Sequence, residues 1–97
     1  MLTFSNAARL CRIFDKSRST IYLWKDQELI TTPVKLSTHA SGWPDDEIET
    51  ICEARKAGLP DNEIRIIVRA LMAQRKDLRA ELSVRFGLKD EEAGLEQ

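Results

Sequence analysis

Ser17-Arg18-Ser19-Thr20-Ile21-Tyr22 is the stretch on which the reading of this chain turns. Ser17 suits an N-cap, because its hydroxyl can accept from an orphan N–H of a first helical turn. A helix over 18–26 then puts Ile21 and Trp24 on one face and points Ser19, Thr20, Tyr22 and Lys25 elsewhere. Short hydroxyl side chains and exposed backbone N–H groups at a helix start can approach phosphates and base edges closely. Arg18 can reach a guanine edge or a phosphate, and Lys25 suits a phosphate further along. Tyr22 can bond a phosphate or pack on a thymine methyl. Taken alone, the run fits a capped, solvated helix equally well.

The flanking segments add weight. Upstream, Ala7, Ala8, Cys11 and Phe14 recur at helical spacing, predicting a helix over about 6–14 with Ser5 as its N-cap after an apolar lead-in at Leu2 and Phe4. Asp15 and Lys16 interrupt it, giving two short helices with a tight break, though without the glycine usual in such a turn. Downstream, Val34-Lys35-Leu36 and Ala40-Ser41-Gly42-Trp43 flank Ser37-Thr38-His39 and predict a hairpin with a polar tip. Pro33 suits the start of an edge strand, and Trp43 is the natural anchor for so small a sheet. Ile21, Trp24, Trp43 and Ile48 read as core.

Pro44 opens a third helix, with Asp45, Asp46 and Glu47 at its positive end and Ile48, Ile51 and Cys52 at core spacing. Gly58 and Pro60 stop it, and Asp61 is read as the cap of the last helix. That helix carries a stripe of Ile64, Ile67, Val68, Leu71, Leu78 and Leu82, interrupted at Arg75, and ends at Gly87. The stripe serves either a second copy or the domain's own core. Arg65, Arg69, Arg75, Lys76 and Arg79 form either a second basic strip or, with Glu63, Asp77 and Glu81 among them, a solvated face.

Charge is unevenly spread over the 97 residues. Residues 1–43 hold six Lys/Arg against three acids, and residues 44–97 hold nine against thirteen, for a net −1. The positive half is where a phosphate-facing surface belongs. A chain 42% hydrophobic and 32% charged is not wholesale disordered. No run approaches the roughly 20 apolar residues of a membrane span, and no signal-peptide pattern opens the chain. A cytoplasmic, nucleoid-associated protein is therefore expected. Cys11 and Cys52 read as buried free thiols. One histidine, no phosphate-cradling glycine loop and no metal-ligand spacing leave no basis for an enzyme, a cofactor or a metal site.

From Ser17 to Ile51 the chain resembles the AlpA family of phage and prophage regulators. The motifs that carry the resemblance are the Ser17–Tyr22 run, Pro33-Val34-Lys35-Leu36, the Gly42-Trp43-Pro44 junction and the acidic helix start with Glu47-Ile48. These regulators are compact winged-helix proteins related to excisionases and to the DNA-binding domain of MerR regulators. The resemblance implies a winged helix-turn-helix with a small β-hairpin wing over 1–58. With the apolar stripe read as a C-terminal helix over 59–86 and the acidic, apolar-poor end as a disordered tail over 87–97, the expected fold is mainly α. The resemblance also implies sequence-specific binding to double-stranded DNA of a mobile element, as transcriptional regulator, excisionase or both, with an integrase as a further partner.

On that reading Arg18, Ser19, Thr20, Tyr22 and Lys25 face the major groove behind the Ser17 cap, and Lys35 and His39 are the wing contacts. His39 departs from the arginine common there, and a neutral imidazole forfeits most phosphate attraction near pH 7. Residues 61–84, read from their apolar stripe, offer either a contact between copies or a cover for the domain's own core. The competing expectation is a winged helix that reads no DNA itself and binds an integrase, a repressor or polymerase.

Overall fold

The computed structural model describes residues 1–88, so the tail expected over 87–97 lies from residue 89 onward outside the described residues. The architecture is mainly helical, with a small antiparallel sheet and a long C-terminal helix. In chain order the elements are β1 (Phe4–Ser5), α1 (Ala7–Phe14), α2 (Arg18–Asp26), β2 (Val34–Ser37), β3 (Ala40–Pro44), α3 (Asp45–Lys56) and α4 (Asp61–Phe86). No helix among the described residues is long and apolar enough to cross a membrane.

The N-terminus departs from expectation. Phe4 and Ser5 form a third strand, paired antiparallel with Pro44 and Trp43 of β3, so the sheet order is β1-β3-β2. Ser5 is therefore buried in the sheet, and the cap of α1 falls to Asn6, whose side chain accepts from Arg9 N. What recruits so short a strand is Asp45. Its carboxylate accepts from the hydroxyls of Thr3 and Ser5, and its own N–H donates to Thr3 O at 2.9 Å. Pro44 accordingly ends β3 and acts as the N-cap of α3, one residue earlier than a helix-opening proline. The other first-turn acids also have specific partners: Asp46 accepts from Glu47 N at 2.9 Å, and Glu47 reaches across to α4. Pro60 likewise replaces Asp61 as the N-cap of α4, with no side-chain cap bond.

The hairpin β2–β3 turns at Thr38 and His39, with Val34 opposite Gly42, Lys35 opposite Ser41 and an irregularity before Ser37. Gly42 lets β1 and Leu36 approach β3 closely. A Cβ at that position would lie 3.0 Å from Leu36 Cδ1, 3.2 Å from Phe4 Cβ and 3.3 Å from Ser5 O. Trp43 is buried to 1% exposure, and its Nε1–H donates to Thr31 O at 2.6 Å, satisfying the indole where water is excluded.

One core joins all four helices: Ala7, Leu10, Ile21, Leu29, Ile30, Trp43, Ile48, Ile51, Ala54, Ile64 and Val68. It runs across the boundary expected at residues 58 and 59, because Ile64 and Val68 of α4 belong to it, with Ile67 and Leu71 packed alongside. The α4 stripe is thus divided. Its first half folds back on the chain's own core, while in its second half Leu78 is exposed and Leu82 half-buried, and beside them Val84 and Phe86 of α4 are exposed too. The division falls at Arg75, whose guanidinium grips Glu47 in two bonds, 2.8 Å from Nε and 2.6 Å from Nη2. The arginine that breaks the apolar stripe is the residue that ties α4 to the start of α3.

Two predictions follow from these polar ties. Replacing Glu47 by Ala strands a guanidinium only 22% exposed, and is expected to cost about 2–4 kcal/mol in urea unfolding. Arg75→Met in turn strands the Glu47 carboxylate, 9% exposed, and should cost as much. The double replacement Glu47→Leu with Arg75→Met leaves no buried charge and should cost less than either single change. The second concerns acid. Hydrogen bonds from Ser5 and Thr3 hold the Asp45 carboxyl below its usual range, with Arg9 adding to the effect. A depressed folded value means stability that is present at neutral pH and is lost as pH falls below about 4 and through the folded value. Asp45→Asn should flatten the acid limb of a stability–pH profile; an unchanged limb contradicts the clamp.

Candidate functional site

Helix α2 is built as the sequence suggests, and its side chains sort into three faces. Ser17 caps it: Oγ accepts from Thr20 N at 3.2 Å and lies 3.0 Å from Thr20 Oγ1. These two hydroxyls are engaged with each other, and Thr20 is half-buried. Ile21 is fully buried and Trp24 packs edge-on against Phe14 of α1, with centroids 5.5 Å apart. That fixes the inner face. Arg18, Tyr22 and Lys25 follow at i, i+4 and i+7 along one flank, while Ser19, Leu23 and Asp26 form the row turned furthest from Ile21.

Tyr22 joins this flank to the hairpin. Its ring meets the edge of Trp43 at a centroid distance of 6.1 Å and an interplanar angle of 60°. Lys25 Nζ sits 5.8 Å from the Tyr22 ring centre and 3.3 Å from Asp26 Oδ1, so it is partly engaged. Lys35 is exposed on β2 opposite Ser41, and His39 is exposed at the hairpin tip. Tyr22 and Trp43 therefore bring the helix and the hairpin together, whereas His39 has no such tie to α2 among the described residues. Leu23 is the side chain that the sequence reading passed over. It is 51% exposed in the centre of the outer row. Its signal was the spacing itself, since a residue two places after the buried Ile21 lies about 200° away around the helix.

Basic side chains differ in whether the fold engages them. Arg9, Arg12, Lys16, Arg18 and Lys35, all in the positive half, make no side-chain ion pair or hydrogen bond among the described residues. The arginines of α4 are used internally. Arg65 Nε donates to Gln27 O at 2.8 Å, Arg69 binds Glu28 at 2.9 and 3.2 Å, and Arg75 binds Glu47. Arg69 holds the Glu28 carboxyl below its usual range and steadies that residue in a left-handed backbone, φ 60°. A second basic strip on α4 thus loses three of its expected members. On α3, Arg55 lies over the Trp24 ring at 4.4 Å, backing the inner face of α2. Cys11 and Cys52 are free and half-buried, and burial together with Glu49 pushes the Cys52 thiol up.

The break between α1 and α2 works without glycine because Asp15 takes the left-handed conformation, φ 54° and ψ 50°. Lys16 N then donates to Cys11 O at 3.0 Å and closes the helix end. Aspartate tolerates this region better than other L-residues but not freely. Asp15→Gly should raise unfolding stability by about 0.5–1 kcal/mol, and Asp15→Val should lower it by about 1–2 kcal/mol. A stabilising valine contradicts the turn geometry.

No family model, curated protein or solved structure matches the chain, so the resemblance seen over residues 17–51 rests on those residues alone.

Proposed function

We propose that this chain is a winged helix-turn-helix protein that reads double-stranded DNA, serving a mobile element as transcriptional regulator, excisionase or both. In this reading α2 is the recognition helix and the β2–β3 hairpin is the wing. The observation that carries it is the contrast among cations. Among the described residues, Arg12, Lys16, Arg18 and Lys35 around α1, α2 and the hairpin make no side-chain ion pair or hydrogen bond, and Arg9 has only the charge of Asp45 nearby. Arg65, Arg69 and Arg75 of α4, by contrast, are consumed within the fold. A surface that leaves its cations unpaired, beside a capped helix start, suits a polyanion with a groove. Arg18 is the best placed to contact a base edge, Ser19 stands beside it, and Lys16 and Lys35 suit phosphates on either side.

Affinity from so few cations is modest, so several copies on neighbouring sites suit the reading better than one. The distal half of α4, with Leu78, Val84 and Phe86 exposed, is the part of residues 61–84 and their flank that remains available for a second copy. An integrase bound to the same DNA is the further partner that an excisionase role requires.

The test is duplex binding across salt. With about four phosphate contacts, log K should fall against log salt with a slope of roughly −3.6. Arg18→Ala should cost about 1–3 kcal/mol on the best duplex selected from a random pool, and less on unselected DNA. Equal losses on both would make Arg18 a positioning residue. No binding at low salt would overturn the DNA reading in favour of a protein-interaction module.

A further inference from the structure

We infer that Leu23 reads the 5-methyl group of a thymine in the major groove, a role that rests on α2 being the recognition helix. The two exposed rows of α2 differ in chemistry. The flank row Arg18–Tyr22–Lys25 carries the cations, and its middle residue is tied sideways to Trp43. The outer row Ser19–Leu23–Asp26 carries no cation. With Ile21 fully buried beneath it, this outer row is the one that enters a groove deepest. The flank row meets a groove wall, from which the long Arg18 side chain at the helix start still reaches inward to a base edge. The charge pattern agrees: phosphates line the walls, and base edges with thymine methyls line the floor.

Leu23 is the apolar member of the outer row, 51% exposed and set between two short polar residues one turn away on either side. Within its row it is the one apolar side chain, and a branched side chain of that size matches one methyl group. Asp26 completes the row. Lys25 at 3.3 Å offsets its charge, and its carboxylate oxygens can accept from a cytosine amino group, the hydrogen-bonding counterpart of the methyl contact. Position also agrees, because Leu23 is the sixth residue of α2 and lies within about two turns of the Ser17 cap.

The experiment uses the full chain and the duplex that it selects from a random pool. Each thymine of that duplex is replaced in turn by deoxyuridine, which removes the methyl and leaves the pairing intact. One position should lose about fourfold in affinity with the unmodified protein, the effect of one buried methyl, and nothing with Leu23→Ala. A melting curve shows whether Leu23→Ala is folded, and Leu23→Met should keep part of the methyl sensitivity. If the selected duplex binds but no thymine is sensitive, or if the sensitivity persists in Leu23→Ala, the role of Leu23 is overturned and the DNA reading stands. If no duplex is enriched, the DNA reading fails and takes this assignment with it.

Discussion

The indole of Trp43 is the constraint on which the rest of the structure depends. It stands at the point where the sheet, the start of α3 and the segment after α2 meet. Its N–H closes on Thr31 O at 2.6 Å, its backbone pairs with Ser5, and its edge receives Tyr22. Each contact orients a different element. The carbonyl of Thr31 fixes the path from α2 into β2, the pairing with Ser5 brings in β1, and Tyr22 sets the hairpin beside α2. Burying a tryptophan with its polar atom satisfied gives a large apolar contribution without a desolvation cost. Trp43 thus contributes, with the shared core around Ile21, Leu29 and Ile30, to the placing of helix beside hairpin on which any groove-reading role relies.

A second tier of ties works through charge at long range. Glu47 and Arg75 are 28 positions apart, and Glu28 and Arg69 are 41 apart. These pairs differ in worth. The first is mostly shielded, so loss of either partner leaves an uncompensated group; the second is half-exposed and screened by solvent. Together with Arg65 they lay the first half of α4 along the core and past the end of α2. The consequence for function is a separation of roles along the chain. Arg65, Arg69 and Arg75 of α4 hold the fold together, while Arg12, Lys16, Arg18 and Lys35 of the first 43 residues remain available.

Much of this was legible in the sequence, and the exceptions share a cause. Ser17 as a cap, α2 over 18–26, the hairpin and its Trp43 anchor follow from local spacing and capping chemistry, and the structure has them. β1 was not legible, because two residues have no periodicity and the strand exists only through the Asp45 clamp 40 residues away. The same distant contact pulled Ser5 into the sheet and passed the α1 cap to Asn6. Arg75 looked like a flaw in an apolar stripe because its partner lies on another helix. Of the expected site, Arg18, Ser19, Lys35 and His39 are exposed, Ser17 and Thr20 are occupied with each other, and Lys25 is shared with Asp26. Leu23 was missed because an apolar residue is assigned by habit to the core, although its angle from Ile21 already placed it outside.

The central claim is that α2 and the hairpin, locked through Tyr22 and Trp43, form one surface that meets duplex DNA. The most direct measurement is a titration of the isotopically labelled full chain with a selected duplex, following backbone amide resonances. The account predicts that residues 16–25 and 35–41 shift together along one binding curve, while amides around Arg65, Arg69 and Arg75 stay in place. Shifts confined to the distal half of α4, or separate curves for helix and hairpin, would contradict it.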